Sequence, residues 1–221
     1  MKLENRVAVV TGASSGVGRE IALLFAKEGA KVVAVARRAE RLAALEEQSK
    51  ELAGEIVAYA GDISLEETNT KMIDFAVEKF GKIDILINNA GMAVGTEKVF
   101  ESEMEDYDVV IDTNVKGVLY MIKAVVPQMV ERKAKGVVVN MGSVAGNIAY
   151  GGGAVYCGSK AAIRYITDGL RIDLMDTPIR VTCIEPGLVE TEFSKHSHPL
   201  SVLRFHYITP CVTNVLHFEK I

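Results

Sequence analysis

Two hydrophobic periods alternate along this chain, and that alternation limits its possible folds more than any other feature. Short runs rich in Val and Ile occur at Arg6–Val10, Lys31–Ala36, Glu55–Ala60, Ile83–Asn88, Gly136–Met141 and Ile179–Ile184. Unbroken apolar runs of this length suit strands buried on both faces. Between them lie Val17–Glu28, Glu40–Leu52, Glu66–Phe80, Asp106–Arg132 and Val155–Met175, where apolar residues recur every three or four positions, as in helices. Crossovers of a dozen or more residues between strands imply a parallel sheet covered by helices. The expected fold class is therefore α/β: one doubly wound domain, with a parallel sheet of six to seven strands and helices on both faces. Ligands of such folds bind beyond the carboxyl ends of the strands.

Composition removes several alternatives. With 221 residues, 49% of them hydrophobic, one large core needs no staples. A net charge of −4, with no Lys/Arg block longer than a pair, argues against nucleic acid as a partner. Cys157, Cys183 and Cys211 are widely spaced, which suggests neither a disulfide framework nor a metal cluster. The start, MKLENR, is charged where a signal peptide needs apolar residues. The longest uncharged stretch, Gly136–Ser159, carries seven glycines and is no membrane span. A cytoplasmic protein without membrane partners is expected.

The first strand leads into Thr11-Gly12-Ala13-Ser14-Ser15-Gly16-Val17-Gly18 and then a helix. Glycines let the backbone approach a ligand, and the N–H groups opening a helix favour a pyrophosphate. A glycine string alone also fits a plain tight turn; its place after strand one favours a dinucleotide. The end of strand two selects the ribose. An acid there would accept from a 2′-hydroxyl, but this chain has Ala36 followed by Arg37 and Arg38. Guanidinium groups suit a 2′-phosphate, so NADP is the expected cofactor. Asp62, followed by Ile63, stands where it can accept from the adenine amino group. Asn88-Asn89-Ala90-Gly91 closes strand four, its amides available across the strand ends or to the cofactor.

Tyr156 and Lys160 are four apart in a helical segment and share a face. An ammonium near a phenol is expected to lower its pKa and make it a usable base. Ser143 ends strand five and can bond a substrate oxygen. Asn114 interrupts the apolar stripe of the fourth helix, where a buried amide needs partners; it can hold a water that links Lys160 to solvent.

Taken together, TGASSGVG at 11–18, Asp62, NNAG at 88–91, Asn114, Ser143, YCGSK at 156–160 and PGLVET at 186–191 closely resemble the short-chain dehydrogenase/reductase family, in its order and spacing. The resemblance implies a Rossmann domain and an oxidoreductase. In it Tyr156 is the general acid/base and Ser143 orients the substrate. Lys160 binds the nicotinamide ribose, and Asn114 holds a relay water. Gly12, Ser14, Ser15, Gly16, Val17, Gly18, Arg37, Arg38, Asp62, Ile63 and Asn89 would bind the cofactor along with Tyr156 and Lys160, and Val189 and Thr191 would reach its carboxamide. ARRAERL at 36–42 and TPIRVTCIEPGLVETEFS at 177–194 look like the NADP-dependent 3-hydroxy acid (serine-type) branch. That implies a small hydroxy acid as substrate, with other carbonyl substrates, or a non-catalytic NADP-binding sensor, as alternatives. Family members pair their fourth and fifth helices, so a homodimer or homotetramer is expected. Residues 1–194 then form the dinucleotide-binding and catalytic domain, and 195–221 an atypical tail of the same domain. The tail departs from the family pattern. It holds all four histidines without a neighbouring acid cluster, so no metal is expected, and Val212–Phe218 reads as a possible last strand.

Overall fold

The computed structural model describes residues 1–95 and 97–192. Six strands form one sheet: β1 (Val7–Thr11), β2 (Lys31–Ala36), β3 (Glu55–Ala60), β4 (Ile85–Asn88), β5 (Val137–Met141) and β6 (Arg180–Ile184). Every pairing is parallel, in the order β3-β2-β1-β4-β5-β6. The helices between them are α1 (Gly16–Lys27), α2 (Ala39–Gln48), α3 (Glu66–Phe80), α4 (Met104–Ile111), α5 (Gly117–Glu131) and α6 (Ala154–Asp173). This is the doubly wound Rossmann arrangement, and its strand order reverses between β1 and β4, where a crevice opens. The expected strand Val212–Phe218, the histidines and the tail 195–221 lie outside the described residues.

Successive strand residues feed opposite faces of the sheet. Ala8, Val10, Val32 and Ala34 pack with Ile21, Phe25, Leu42 and Leu45 of α1 and α2. Val9, Val33, Val35 and Leu86 pack with Met72 of α3, Met121 and Val125 of α5, and Leu174 after α6. The amino-terminal edge of the sheet is tied by Asp84, whose Oδ2 accepts from Val7 N at 3.1 Å. The same buried carboxylate faces Lys82 at 2.9 Å, Arg132 at 3.6 Å and Arg6 at 4.0 Å.

One expected element is built differently. The stretch 106–132 is not a single α-helix. A π turn, Asp112–Lys116, separates α4 from α5 and contains Asn114. Such insertions re-aim a side chain at a local cost in helix geometry, and here the re-aimed residue is the only buried one in the turn.

Candidate active site

The glycine turn is built by close approach. Gly12 and Gly16 have φ of 68° and 54°, values that disfavour other residues. A Cβ at Gly12 would lie 2.8 Å from Asn89 Nδ2, and one at Gly18 would overlap the same amide and come 2.6 Å from the Gly12 carbonyl oxygen. Asn89 is held there by donating from Nδ2 to the Thr11 carbonyl at 2.9 Å, while its N–H and that of Ala90 donate to Thr11 Oγ1, each at 3.0 Å. Asn89 thus acts on the turn itself, fastening the end of β4 to the end of β1.

Arg38 lies along this turn. Its Nη2 donates to Ser14 Oγ at 2.9 Å and Ser15 Oγ at 2.8 Å, and its Nε to Ser14 Oγ at 3.2 Å. Its Nη1 reaches Glu192 Oε2 at 3.3 Å, and Arg41 Nη1 reaches the same oxygen at 2.5 Å. Arg37 is exposed. Ser14, Ser15, Gly16, Arg19, Arg41 and Glu192 are among the residues lining a cavity of about 350 Å³. Arg41, one helical turn after Arg38, was not singled out by sequence reasoning; its spacing from Arg38 was the available signal. A backbone cradle that Cβ atoms would fill, opening a helix and flanked by guanidinium groups, fits a dinucleotide with an added phosphate.

The other cofactor candidates fall as follows. Asp62 Oδ1 accepts from Ser64 N and Oγ at 2.9 and 2.8 Å, closing the turn after β3. The Ile63 side chain belongs to the core: it is buried, a Cβ on Gly117 would meet its Cδ1 at 2.8 Å, and its carbonyl accepts from Asn69. Thr191 covers Gly16, 3.3 Å from where a Cβ would sit. Val189 is half-buried in the segment leading there.

At the carboxyl ends of β4 and β5 the remaining four residues come together. Ser143 follows β5 and caps a short 3₁₀ turn, its Oγ accepting from Ala145 N at 3.1 Å. The same hydroxyl is hydrogen-bonded to the Tyr156 phenol. Lys160 is only 6% exposed, lies 5.8 Å from the Tyr156 ring centroid, and donates from Nζ to the Met141 carbonyl at 2.8 Å. Asn114, 1% exposed, exchanges hydrogen bonds with the Met92 backbone: Oδ1 accepts from N and Nδ2 donates to O, both at 2.8 Å. Its Nδ2 also donates to Ser159 Oγ at 3.0 Å. Both amide hydrogens are therefore committed to protein, and the side chain stitches the loop after β4 to α6. Gly91 sits between the two groups, its would-be Cβ 3.3 Å from Asn114 Oδ1 and 3.4 Å from Lys160 Nζ. Asn88 bonds across the sheet to Asn140 Oδ1 at 2.8 Å rather than toward the crevice.

The electrostatics correct one expectation. Burial pushes the Tyr156 hydroxyl above its ordinary 10.0, against the opposing pull of the Ser143 hydrogen bond. Lys160, whose own ammonium is desolvated and lowered to about 8, does not reverse this. The protein alone thus presents the phenol in its protonated form. Beside it, Val94, Glu97, Tyr107, Tyr150 and Gly152 line a narrow cleft of about 30 Å³. Burial raises Tyr150 to about 12. None of these was singled out from the sequence as a site residue: Val94, Glu97, Tyr150 and Gly152 come from loops with no periodic signature, and Tyr107 reads as one more member of a helical apolar stripe.

A glycine turn for a dinucleotide, next to a Ser–Tyr–Lys–Asn cluster at the same end of one sheet, defines the class of nucleotide-dependent oxidoreductases. Residues 6–199 match the short chain dehydrogenase family model, and the chain belongs to that family. It is 45% identical to serine 3-dehydrogenase of Rhizobium radiobacter over 186 residues, 84% of this chain and 73% of that protein. It is 44% identical to the NADP-dependent 3-hydroxy acid dehydrogenase YdfG of Salmonella typhi over 189 residues, 85% of this chain and 75% of that protein. Among solved structures, the closed form of serine dehydrogenase complexed with NADP+ superposes with a TM-score of 0.80 at 43% identity, covering 86% of this chain and 75% of that one. Among the described residues no helix is long and apolar enough to cross a membrane.

Proposed function

We propose that this chain is an NADP-dependent dehydrogenase that moves a hydride between NADP(H) and a small 3-hydroxy acid such as serine, with Tyr156 as the general acid/base. The observation that carries the reading is the Ser143–Tyr156 hydrogen bond beside buried Lys160, at the sheet end that also bears the glycine turn. The 3-hydroxy acid relatives support the substrate class. Glu97 in the cleft supports an amino-bearing member of that class, because its charge is opposite to that of a substrate ammonium.

Gly12, Ser14, Ser15, Gly16, Val17 and Gly18 would hold the pyrophosphate at the start of α1, kept in shape by Asn89. Arg37 and Arg38 would take the 2′-phosphate, Asp62 and the main chain of Ile63 the adenine, Lys160 and Tyr156 the nicotinamide ribose, and Val189 and Thr191 the carboxamide. The nicotinamide supplies or accepts the hydride. In reduction the Ser143 hydroxyl orients the substrate oxygen while Tyr156 donates its proton to it; in oxidation Tyr156 takes that proton back. Asn114, by holding Met92 and Ser159, keeps the space beside Lys160 open for a relay water. Residues 1–194 act as one catalytic domain with 195–221 as its tail, in a cytoplasmic homodimer or homotetramer with no nucleic-acid or membrane partner.

The test compares the native chain with Tyr156→Phe, using NADP+ with serine or 3-hydroxypropionate, and NADPH with a simple ketone or an acyl thioester. Turnover of the hydroxy acids should fall roughly 10²–10⁴-fold while NADPH binding, read by fluorescence, is kept. Parental turnover in Tyr156→Phe removes the role of the phenol. Turnover confined to the ketone or thioester reassigns the substrate, and NADPH binding without turnover of any compound makes the chain a binder.

A further inference from the structure

We propose that Glu192 sets the discrimination between NADP and NAD, by competing with the cofactor's 2′-phosphate for Arg38 and Arg41. The inference rests on the cofactor reading above and adds a residue that opposes it.

One oxygen of Glu192 bridges two guanidinium groups, Arg38 at 3.3 Å and Arg41 at 2.5 Å. These are the positions that an oxygen of a 2′-phosphate would use, since guanidinium groups bind carboxylate and phosphate with the same donor geometry. The remaining donors of Arg38 are turned onto Ser14 and Ser15, so its Glu192-facing edge is the one left for an anion. The Arg41 hydrogen bond, with help from Arg38, holds the Glu192 carboxyl below the ordinary range for a carboxylate, so it stays ionised at neutral pH. A phosphate with nearly two negative charges cannot share this position with a carboxylate without strong repulsion. A 2′-hydroxyl is different: it can donate to a carboxylate, as acids do in dinucleotide sites that prefer NAD. Glu192 therefore weakens the bound phosphate and tolerates the hydroxyl.

The contact also has a mechanical side. Glu192 follows Thr191, which covers Gly16 in the glycine turn. The segment after β6 is thus latched to the start of α2 across the turn that would hold the pyrophosphate. Displacing Glu192 by a 2′-phosphate releases that latch, whereas a 2′-hydroxyl leaves it fastened.

The pairs are half-exposed, with side-chain exposures of 40%, 40% and 45% for Arg38, Arg41 and Glu192, so solvent moderates the effect. In Glu192→Gln, NADPH should bind roughly fivefold more tightly at low salt, with NADH unchanged or weaker. The same variant should bind 2′,5′-ADP more tightly but not 5′-AMP, which isolates the phosphate from any contact at the nicotinamide. The gain should shrink as salt is raised. If NADPH and 2′,5′-ADP bind no better, or bind worse because Glu192 serves only to orient the arginines, the proposal is overturned. If all four ligands tighten equally, the latch acts without regard to the phosphate and the proposal is likewise overturned. Native protein that does not prefer 2′,5′-ADP over 5′-AMP refutes the NADP reading itself, a result separable from the first two.

Discussion

Replacing Lys160 by Met should make this protein more stable near neutral pH relative to alkaline pH, in a way that tracks a single proton. The Lys160 ammonium is pulled from an ordinary 10.5 to about 8 by burial, which corresponds to about 3 kcal/mol of unfavourable charge burial when the group is protonated. For the sign, an amine whose folded value lies below its unfolded value binds fewer protons in the folded chain. Between about pH 8 and 10.5 the unfolded chain is the more protonated, so the stability of the native protein rises with pH across that window. Below pH 8 the full penalty is present; above 10.5 it is gone. The thioether in Lys160→Met carries no such penalty, but it orphans the Met141 carbonyl, now an acceptor at 2.8 Å, at a cost of about 1–3 kcal/mol at every pH. The stability difference, variant minus native, should therefore decline by about 3 kcal/mol between about pH 7.5 and 10.5, measured by urea unfolding at a series of pH values. A difference that does not change with pH would refute the claim that the native ammonium is desolvated.

Three further outcomes follow from the geometry. Arg37→Asp combined with Arg38→Ala should move preference from NADPH toward NADH, read by comparing their dissociation constants; an unchanged ratio removes the arginine argument. Gly18→Ala should cost at least about 2 kcal/mol and abolish tight NADPH binding, because its Cβ meets Asn89 and the Gly12 carbonyl; thermal unfolding and a binding titration would show it. Asp84→Ala should destabilise by about 2–3 kcal/mol, since it strands three cations and the Val7 N–H at the end of the sheet remote from the crevice. Its kcat, measured below the unfolding transition, should stay within about twofold of native.

Strands were legible because a doubly covered sheet needs long apolar runs, and VAVV, KVVAVA and VVVNM have no other comfortable home. The glycine turn and the Tyr156–Lys160 pair were legible because each is local in sequence. The π turn at Asp112–Lys116 was not: the apolar stripe runs through it from Ile111 to Val118, and its stability comes from distant partners of Asn114, namely Met92 and Ser159. Glu192 and Arg41 stand 151 positions apart, and no local rule pairs them. The direction of the Tyr156 shift was misjudged for a related reason. Spacing places an ammonium near a phenol, but how deeply both are buried is a property of the assembled fold.

The carbonyl that receives Lys160 belongs to Met141, the last residue of β5, and Ser143 stands two residues further along the same strand's path. Met141 is in turn fixed in register against Ile184, and Asn140 against both Asn88 and Cys183. The hydroxyl and the carbonyl that anchors the amine therefore ride on one rail, while the amine and the phenol share α6. Sliding β5 by a single step would carry the hydroxyl away from the phenol and strip the amine of its anchor at once, so changes in the deep interior of the sheet, far from any ligand, have a direct mechanical route to the rate of the reaction.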